Sequence, residues 1–178
     1  MTVAYQGIPG AFGHAACLLF VPDHDPVAKP SFVSVLAAVA SGESEYGVLP
    51  VENSAAGPVY DATDLLSGCR IPFKMRDMPV RMHLIARPGT QLADVRLVIS
   101  HPVGLAQCRN SLRELGVATE AGINTAIAAK ALAESGDAAT AVLASQAAAA
   151  TYGLEILRSD MQDRTDNITT FCVLGPRV

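Results

Sequence analysis

The chain reads as an α/β protein made of two α/β lobes, and three observations predict this. Short apolar, β-branched runs alternate with helical spacings along nearly all of its 178 residues. The alternation breaks once, where Ile71 to Met75 and Val80 to Ala86 read as two successive strands around Arg76-Asp77-Met78-Pro79. It then resumes with the same βα rhythm. Half the residues are hydrophobic and 17% are charged. A globular chain of this length buries roughly 70% of its unfolded surface. We therefore expect two lobes facing each other across a cleft. Residues 1–77 with about 161–178 form the first, and about 78–160 form the second.

The elements follow in order. Thr2 to Tyr5 is a strand, Gln6 to Gly10 a tight turn, and Ala11 to Phe20 a helix. Asp23-His24-Asp25 lies between Pro22 and Pro26 and reads as a solvated loop rather than a metal site. Ser31 caps a helix over Phe32 to Ser41 that Gly42 stops. Tyr46 to Val51 is a buried strand, and Pro58 opens a helix to Leu66. In the second half, Val95 to Ile99 is a strand and Val103 to Leu115 a helix stopped by Gly116. Val117 to Glu120 is a strand, and Asn124 or Thr125 caps a helix to Glu134. Ser135-Gly136-Asp137 turns the chain. Thr140 to Leu143 is a strand, Gln146 to Tyr152 an Ala-rich helix stopped by Gly153, Leu154 to Leu157 a short strand, and Ile168 to Leu174 the last strand.

Composition narrows the function classes. The net charge is −4 with no basic run, so nucleic acid is not an expected partner. No apolar run reaches the ~18 residues of a membrane span, and no secretory signal opens the chain. Cys17, Cys69, Cys108 and Cys172 form no CxxC pair and read as buried, reduced thiols. A soluble cytoplasmic protein is expected. There is no GxSxG elbow, HExxH pair or phosphate-binding loop, and the lone Gly-x-x-Gly at Gly7 and Gly10 is no dinucleotide fingerprint.

The chemistry-bearing residues are mostly uncharged. Glu52-Asn53-Ser54 follows a strand, where small ligands bind in open α/β sheets. The same residues also suit a helix cap, so both readings stand. Ser100-His101-Pro102 ends another strand, with Gln107 further along the following helix; a capping Ser100 and a packed His101 are expected rather than a Ser–His pair. Asn124-Thr125 opens a helix. Asn167 to Phe171 opens the last strand, where alternation sends Thr169 and Phe171 to one face and Thr170 to the other.

Taken together, these motifs resemble the catalytic domain of the prephenate dehydratase family. Tyr5 to Phe12, Leu49-Pro50-Val51-Glu52-Asn53-Ser54 with Gly57, Ser100-His101-Pro102 with Ala106-Gln107-Cys108, Asn124-Thr125-Ala126, Tyr152-Gly153-Leu154 and Asn167 to Phe171 occur in the family's order over nearly the whole chain. The resemblance implies a fold like a type II periplasmic binding protein, no metal, no cofactor and a homodimer. It implies decarboxylation and dehydration of prephenate to phenylpyruvate in phenylalanine synthesis. Thr169 corresponds to the family's catalytic threonine. Glu52, Asn53, Ser54, Ser100, Gln107, Thr125 and Phe171 would bind substrate or shield its ring. The family's Thr-Arg-Phe reads Thr169-Thr170-Phe171 here, so its arginine is missing; Arg81, Arg87 and Arg164 are candidate replacements. The family's Ser-Glu reads Gly13-His14. The usual C-terminal ACT domain is not in this sequence. Arogenate is an alternative substrate. A prephenate decarboxylase that leaves the ring non-aromatic and a non-catalytic anion-binding module are alternative functions.

Overall fold

The structure is a computed structural model that describes residues 1–135 and 137–176. The turn expected at Ser135-Gly136-Asp137 therefore lies partly outside the described residues. The chain divides into two compact units. The first holds Met1–Ile8, Phe12–Val80 and the described residues from Asp166 on; the second holds Pro9–Ala11 and Arg81–Thr165.

The first unit is built on a mixed sheet. Its strands are β1 (Thr2–Gln6), β2 (Asp25–Lys29), β3 (Tyr46–Asn53), β4 (Gly57–Pro58), β5 (Phe73–Pro79) and β11 (Ile168–Leu174). The order is β2-β1-β3-β11-β5, with β4 paired to β3. Strand β1 runs parallel to β2 and β3, whereas β11 is antiparallel to both neighbours. Helix α1 (Phe12–Phe20) covers one face, and α2 (Phe32–Ala40) and α3 (Tyr60–Ser67) cover the other. Period-2 alternation divides the strands between two cores. Val3, Tyr5, Val48, Phe171 and Val173 meet Ala16 and Cys17 of α1. Ala4, Leu49, Cys172 and Leu174 meet Val35, Ala38 and Leu66.

The second unit has the sheet order β10-β6-β9-β7-β8. These strands are β6 (His83–Ala86), β7 (Leu97–Ser100), β8 (Ala118–Ala121), β9 (Thr140–Ala144) and β10 (Glu155–Arg158). Helices α4 (Pro102–Gln107), α5 (Arg109–Leu115), α6 (Thr125–Ser135) and α7 (Gln146–Tyr152) complete it. Ala128, Ala129, Ala148 and Ala149 pack α6 and α7 on Ile85, Val142 and Ala144. The turn at Pro9–Ala11 belongs here because α7 holds it: Ser145 Oγ donates to the Gly10 carbonyl at 2.8 Å, and Tyr152 Oη to that of Pro9 at 2.7 Å.

Four local expectations change. The Asp23–Asp25 stretch is only partly a solvated loop: Asp23 and Asp25 are exposed, but Asp25 begins β2, and His24 pairs with Glu45 at 3.1 Å and packs edge-on to Tyr46. Arg76 to Pro79, expected to separate two strands, is itself part of β5. Its charges and proline resemble turn residues but sit on the edge strand β5, where both are tolerated. Pro58 opens no helix. It closes a small hairpin with Glu52, and α3 starts at Tyr60. The single helix expected over Val103 to Leu115 is two, parted at buried Cys108. The carboxylate of Asp163 accepts the Asn110 N–H at 3.1 Å and so caps the second piece.

Candidate active site

In the first unit, polar groups collect where β3 ends and β11 begins. Asn53 and Thr169 face each other across the two strands, and Ser54 follows Asn53. A register shift brings them there. Glu52 pairs with Thr170 but Pro50 pairs with Phe171, so Val51 is the extra residue of a β-bulge. Pro50, which has no N–H to give the ladder, stands at the irregularity.

The Asn53 side chain is fully engaged. Its Oδ1 accepts the backbone N–H groups of Ala55 and Ala56 at 3.0 and 2.8 Å, shaping the turn into β4. Its Nδ2 donates to Asn167 Oδ1 at 2.8 Å and Thr169 Oγ1 at 2.9 Å. Thr169 is 9% exposed, and its hydroxyl hydrogen has no acceptor among the described residues. Its oxygen thus accepts a fixed bond while its hydrogen remains available for donation.

Ser54 is engaged in a staple. Its Oγ donates to the Asp166 carbonyl at 3.0 Å and accepts the Ile168 N–H at 2.9 Å. Glu52 is exposed and stands on the opposite sheet face, in one cross-strand row with Thr170 and Asp77. Thr170 Oγ1 donates to Asp77 Oδ1 at 2.7 Å. The position where the family has arginine therefore faces away from Thr169. Phe171 shares the Thr169 face but is 1% exposed, in the core beside Phe20. His14 of α1 stacks on Tyr5 at 5.4 Å, and burial lowers its pKa.

The second unit holds the other candidates. Ser100 is fully buried at the end of β7, its Oγ donating to the Leu143 carbonyl at 2.8 Å. A Cβ at Gly104 would come within 2.8 Å of that oxygen, so α4 needs glycine to pack there. The expected roles at this turn are exchanged: Ser100 packs, whereas exposed His101 caps α4 by accepting the Val103 N–H at Nδ1. Asn124, not Thr125, caps α6, its Oδ1 accepting the Ala126 N–H at 2.8 Å. That leaves the half-buried Thr125 hydroxyl and the half-buried Gln107 amide with no hydrogen bond among the described residues. The Gly122 N–H, three residues before Thr125, donates to the Ser100 carbonyl at 2.8 Å beyond the carboxyl ends of β7 and β8. Of the three candidate cations, Arg81 is paired with Asp160 at 2.7 Å. Arg87 is half-buried and Arg164 is exposed, both in this second unit.

Asn167 is a residue that local reading placed in the motif opening the last strand but gave no role. It is two positions before Thr169 and shares its strand face, and it is buried, which only the fold reveals. The site it belongs to in this unit, Asn53-Asn167-Thr169, is uncharged.

The family model for prephenate dehydratase matches residues 3–178. The chain belongs to the prephenate dehydratase family. Arogenate dehydratase 3 of Arabidopsis thaliana is 41% identical over 178 residues, covering 98% of this chain and 42% of the relative. The chain thus spans less than half the length of the first curated relatives it matches, 44% of one and 42% of the next. Among solved structures, prephenate dehydratase from Arthrobacter aurescens in complex with L-Phe has a TM-score of 0.86 at 27% identity, covering all of this chain and 61% of that one. GqqA, described as a novel type of quorum quenching acylase, has a TM-score of 0.88 at 35% identity, covering all of this chain and 65% of that one. Both α/β units are thus features of the prephenate dehydratase fold.

Proposed function

We propose that the two units together form one catalytic domain that decarboxylates and dehydrates prephenate to phenylpyruvate, a carbon–oxygen lyase reaction of phenylalanine synthesis. The observation that carries this reading is the Thr169 hydroxyl, which accepts from Asn53 and keeps its own hydrogen free. Prephenate loses its ring carboxylate as CO₂, and the electron pair released completes the aromatic ring as the ring hydroxyl departs. With a proton taken up by the departing oxygen, the products are phenylpyruvate, CO₂ and water. Aromatisation supplies the driving force, so the site needs a positioned donor at the leaving oxygen rather than a strong base. Thr169 is that donor. An N–H fixed on its oxygen polarises the O–H bond, and preorganisation substitutes for acidity.

The remaining roles follow from which groups are uncommitted. Gln107 and Thr125 have side chains free to bind substrate. Asn53 orients Thr169. Ser54 and Ser100 hold the strand and helix ends that present these groups, and Phe171 closes the core beneath Thr169. Glu52 faces away from Thr169 and serves the outer strand row.

The reading extends to arogenate, the substrate named for the Arabidopsis relative, which has an amino group where prephenate has a keto oxygen. The decarboxylase alternative is weaker, because the Thr169 face is intact and the changed residue, Thr170, lies on the other one. We also propose a homodimer working in the cytoplasm, with no metal or cofactor. No helix among the described residues is long and apolar enough to cross a membrane.

The test is incubation with prephenate, and separately with arogenate, at near-neutral pH, with products identified by mass and ultraviolet spectrum. Phenylpyruvate or phenylalanine formed above the enzyme-free rate supports the reading. A decarboxylated product that keeps the hydroxyl, or no turnover of either compound, overturns it. Thr169→Val should lower kcat by about 10²–10⁴-fold with KM nearly unchanged, since only the donor is removed.

A further inference from the structure

We propose that Asn167 is a positioning residue that aims the Thr169 hydroxyl by way of Asn53; this rests on the dehydratase reading of Thr169.

The argument starts at the turn after β3. Two backbone N–H groups, of Ala55 and Ala56, converge on one terminal atom of the Asn53 side chain. That atom must be the oxygen, because a nitrogen there would face two donors. The other terminal atom is therefore the NH₂ group, with two hydrogens to place. Its two nearest acceptors are Asn167 Oδ1 at 2.8 Å and Thr169 Oγ1 at 2.9 Å; the Ile168 carbonyl is further away at 3.2 Å. One hydrogen goes to each of the nearer two. Asn167 must then present its own oxygen to Asn53, and its NH₂ group points elsewhere. That Nδ2 is buried and without a hydrogen-bond partner among the described residues.

A buried donor without an acceptor is unfavourable, and such groups in a folded protein call for an explanation. Here the alternative orientation of Asn167 would set NH₂ against NH₂ and turn an Asn53 hydrogen toward the Ile168 carbonyl at 3.2 Å, although Ala55 and Ala56 still hold Oδ1. The second Asn53 hydrogen would then no longer be forced onto Thr169. Together with the Ala55 and Ala56 N–H groups, Asn167 thus holds the Asn53 amide plane, and the Asn53 amide holds Thr169 Oγ1 as an acceptor. The Thr169 O–H is left with no acceptor among the described residues. The backbone adds a second restraint on this segment: Ser54 grips residues Asp166 and Ile168 on either side of Asn167. The Val80 N–H donates to the Asn167 carbonyl at 2.8 Å. The segment is held in place without the Asn167 side chain, so the side chain can be changed with the strand intact.

The test is a kinetic double-mutant cycle on the 178-residue chain with whichever of prephenate or arogenate it turns over. Asn167→Ala should lower kcat by about 10–100-fold with KM changed less than about 3-fold, because it acts through the donor and not through binding. Asn167→Asp keeps an oxygen toward Asn53 and should recover most of the lost kcat. In a Thr169→Val background, Asn167→Ala should lower the residual kcat no further, since the group it aims is gone. Three results overturn the proposal: full kcat in Asn167→Ala, Asn167→Asp as impaired as Asn167→Ala, or additive losses in the double variant. If Asn167→Ala does not fold, Asn167→Asp and its double variant with Thr169→Val decide the matter by the same criteria. Full turnover by Thr169→Val alone, or none by the parent chain, overturns the dehydratase reading itself and this proposal with it. Inactive Thr169→Val beside fully active Asn167→Ala overturns this proposal only.

Discussion

Neighbouring residues in β11 have separate tasks because a strand alternates its side chains. Thr169 lies on the face of Asn53, and Thr170 lies in a row between Glu52 and Asp77 on the other face. A family arginine at position 170 would therefore have two carboxylates within cross-strand reach and no direct path to the Thr169 face. Here a threonine hydroxyl bonds to Asp77 instead. Thr170→Arg should leave kcat within about 2-fold and raise stability by about 0.2–1 kcal/mol, as exposed ion pairs do. Steady-state kinetics and urea denaturation measure both. A large change in kcat would show that position 170 communicates with the Thr169 face.

Glycine works at the level of the element, where the chain turns from a strand into a helix. Gly10 follows β1 with φ +84°, and a Cβ there would stand 2.9 Å from the Ala148 Cα of α7. Gly153 ends α7 with φ +64° but has open space around it. Gly153→Ala should cost about 1 kcal/mol, the usual price of a left-handed residue with a side chain. Gly10→Ala should cost more, about 2–3 kcal/mol, because α7 must also shift. Denaturant midpoints of the two variants compare them directly; equal losses would mean that the α7 contact is soft. The same packing explains why Pro9 and Gly10 read as part of a simple turn from sequence, yet serve as a docking point for α7.

At the level of the whole molecule, acid acts through half-buried His14 and buried His83. Burial lowers the pKa of His14 in the first unit and of His83 in the second; Asp160 partly opposes the shift at His83. Folding makes both imidazoles harder to protonate, and the unfolded chain takes up protons below its ordinary value of 6.5. Stability from these groups is full above that pH and is lost as pH falls below it. The carboxyls whose pKa is lowered, Asp137 and Asp160, begin from 3.8 and so act only at lower pH. The thermal midpoint should therefore fall between pH 7 and pH 5. The double variant His14→Gln/His83→Gln should have a flatter profile over that interval. A fall of the same size in the double variant would assign the acid sensitivity elsewhere.

Sequence by itself determined the α/β class, the succession of nearly all strands and helices, the family, and the identity of Asn53 and Thr169 as candidates. Local periodicity and capping chemistry act over a few residues, so they are legible there; Ser31, Gly116 and Gly153 each end or begin a helix as expected. Tertiary structure alone decided which groups those candidates meet. Asn53 and Asn167 are 114 residues apart, as are Ser54 and Ile168, and Asp163 caps a helix 53 residues away. Such partners leave no local pattern. A single extra residue in β3, the bulge at Val51, set Glu52 on one face and Asn53 on the other. Pairing between distant strands fixes that register, and a shift of one residue exchanges the two faces.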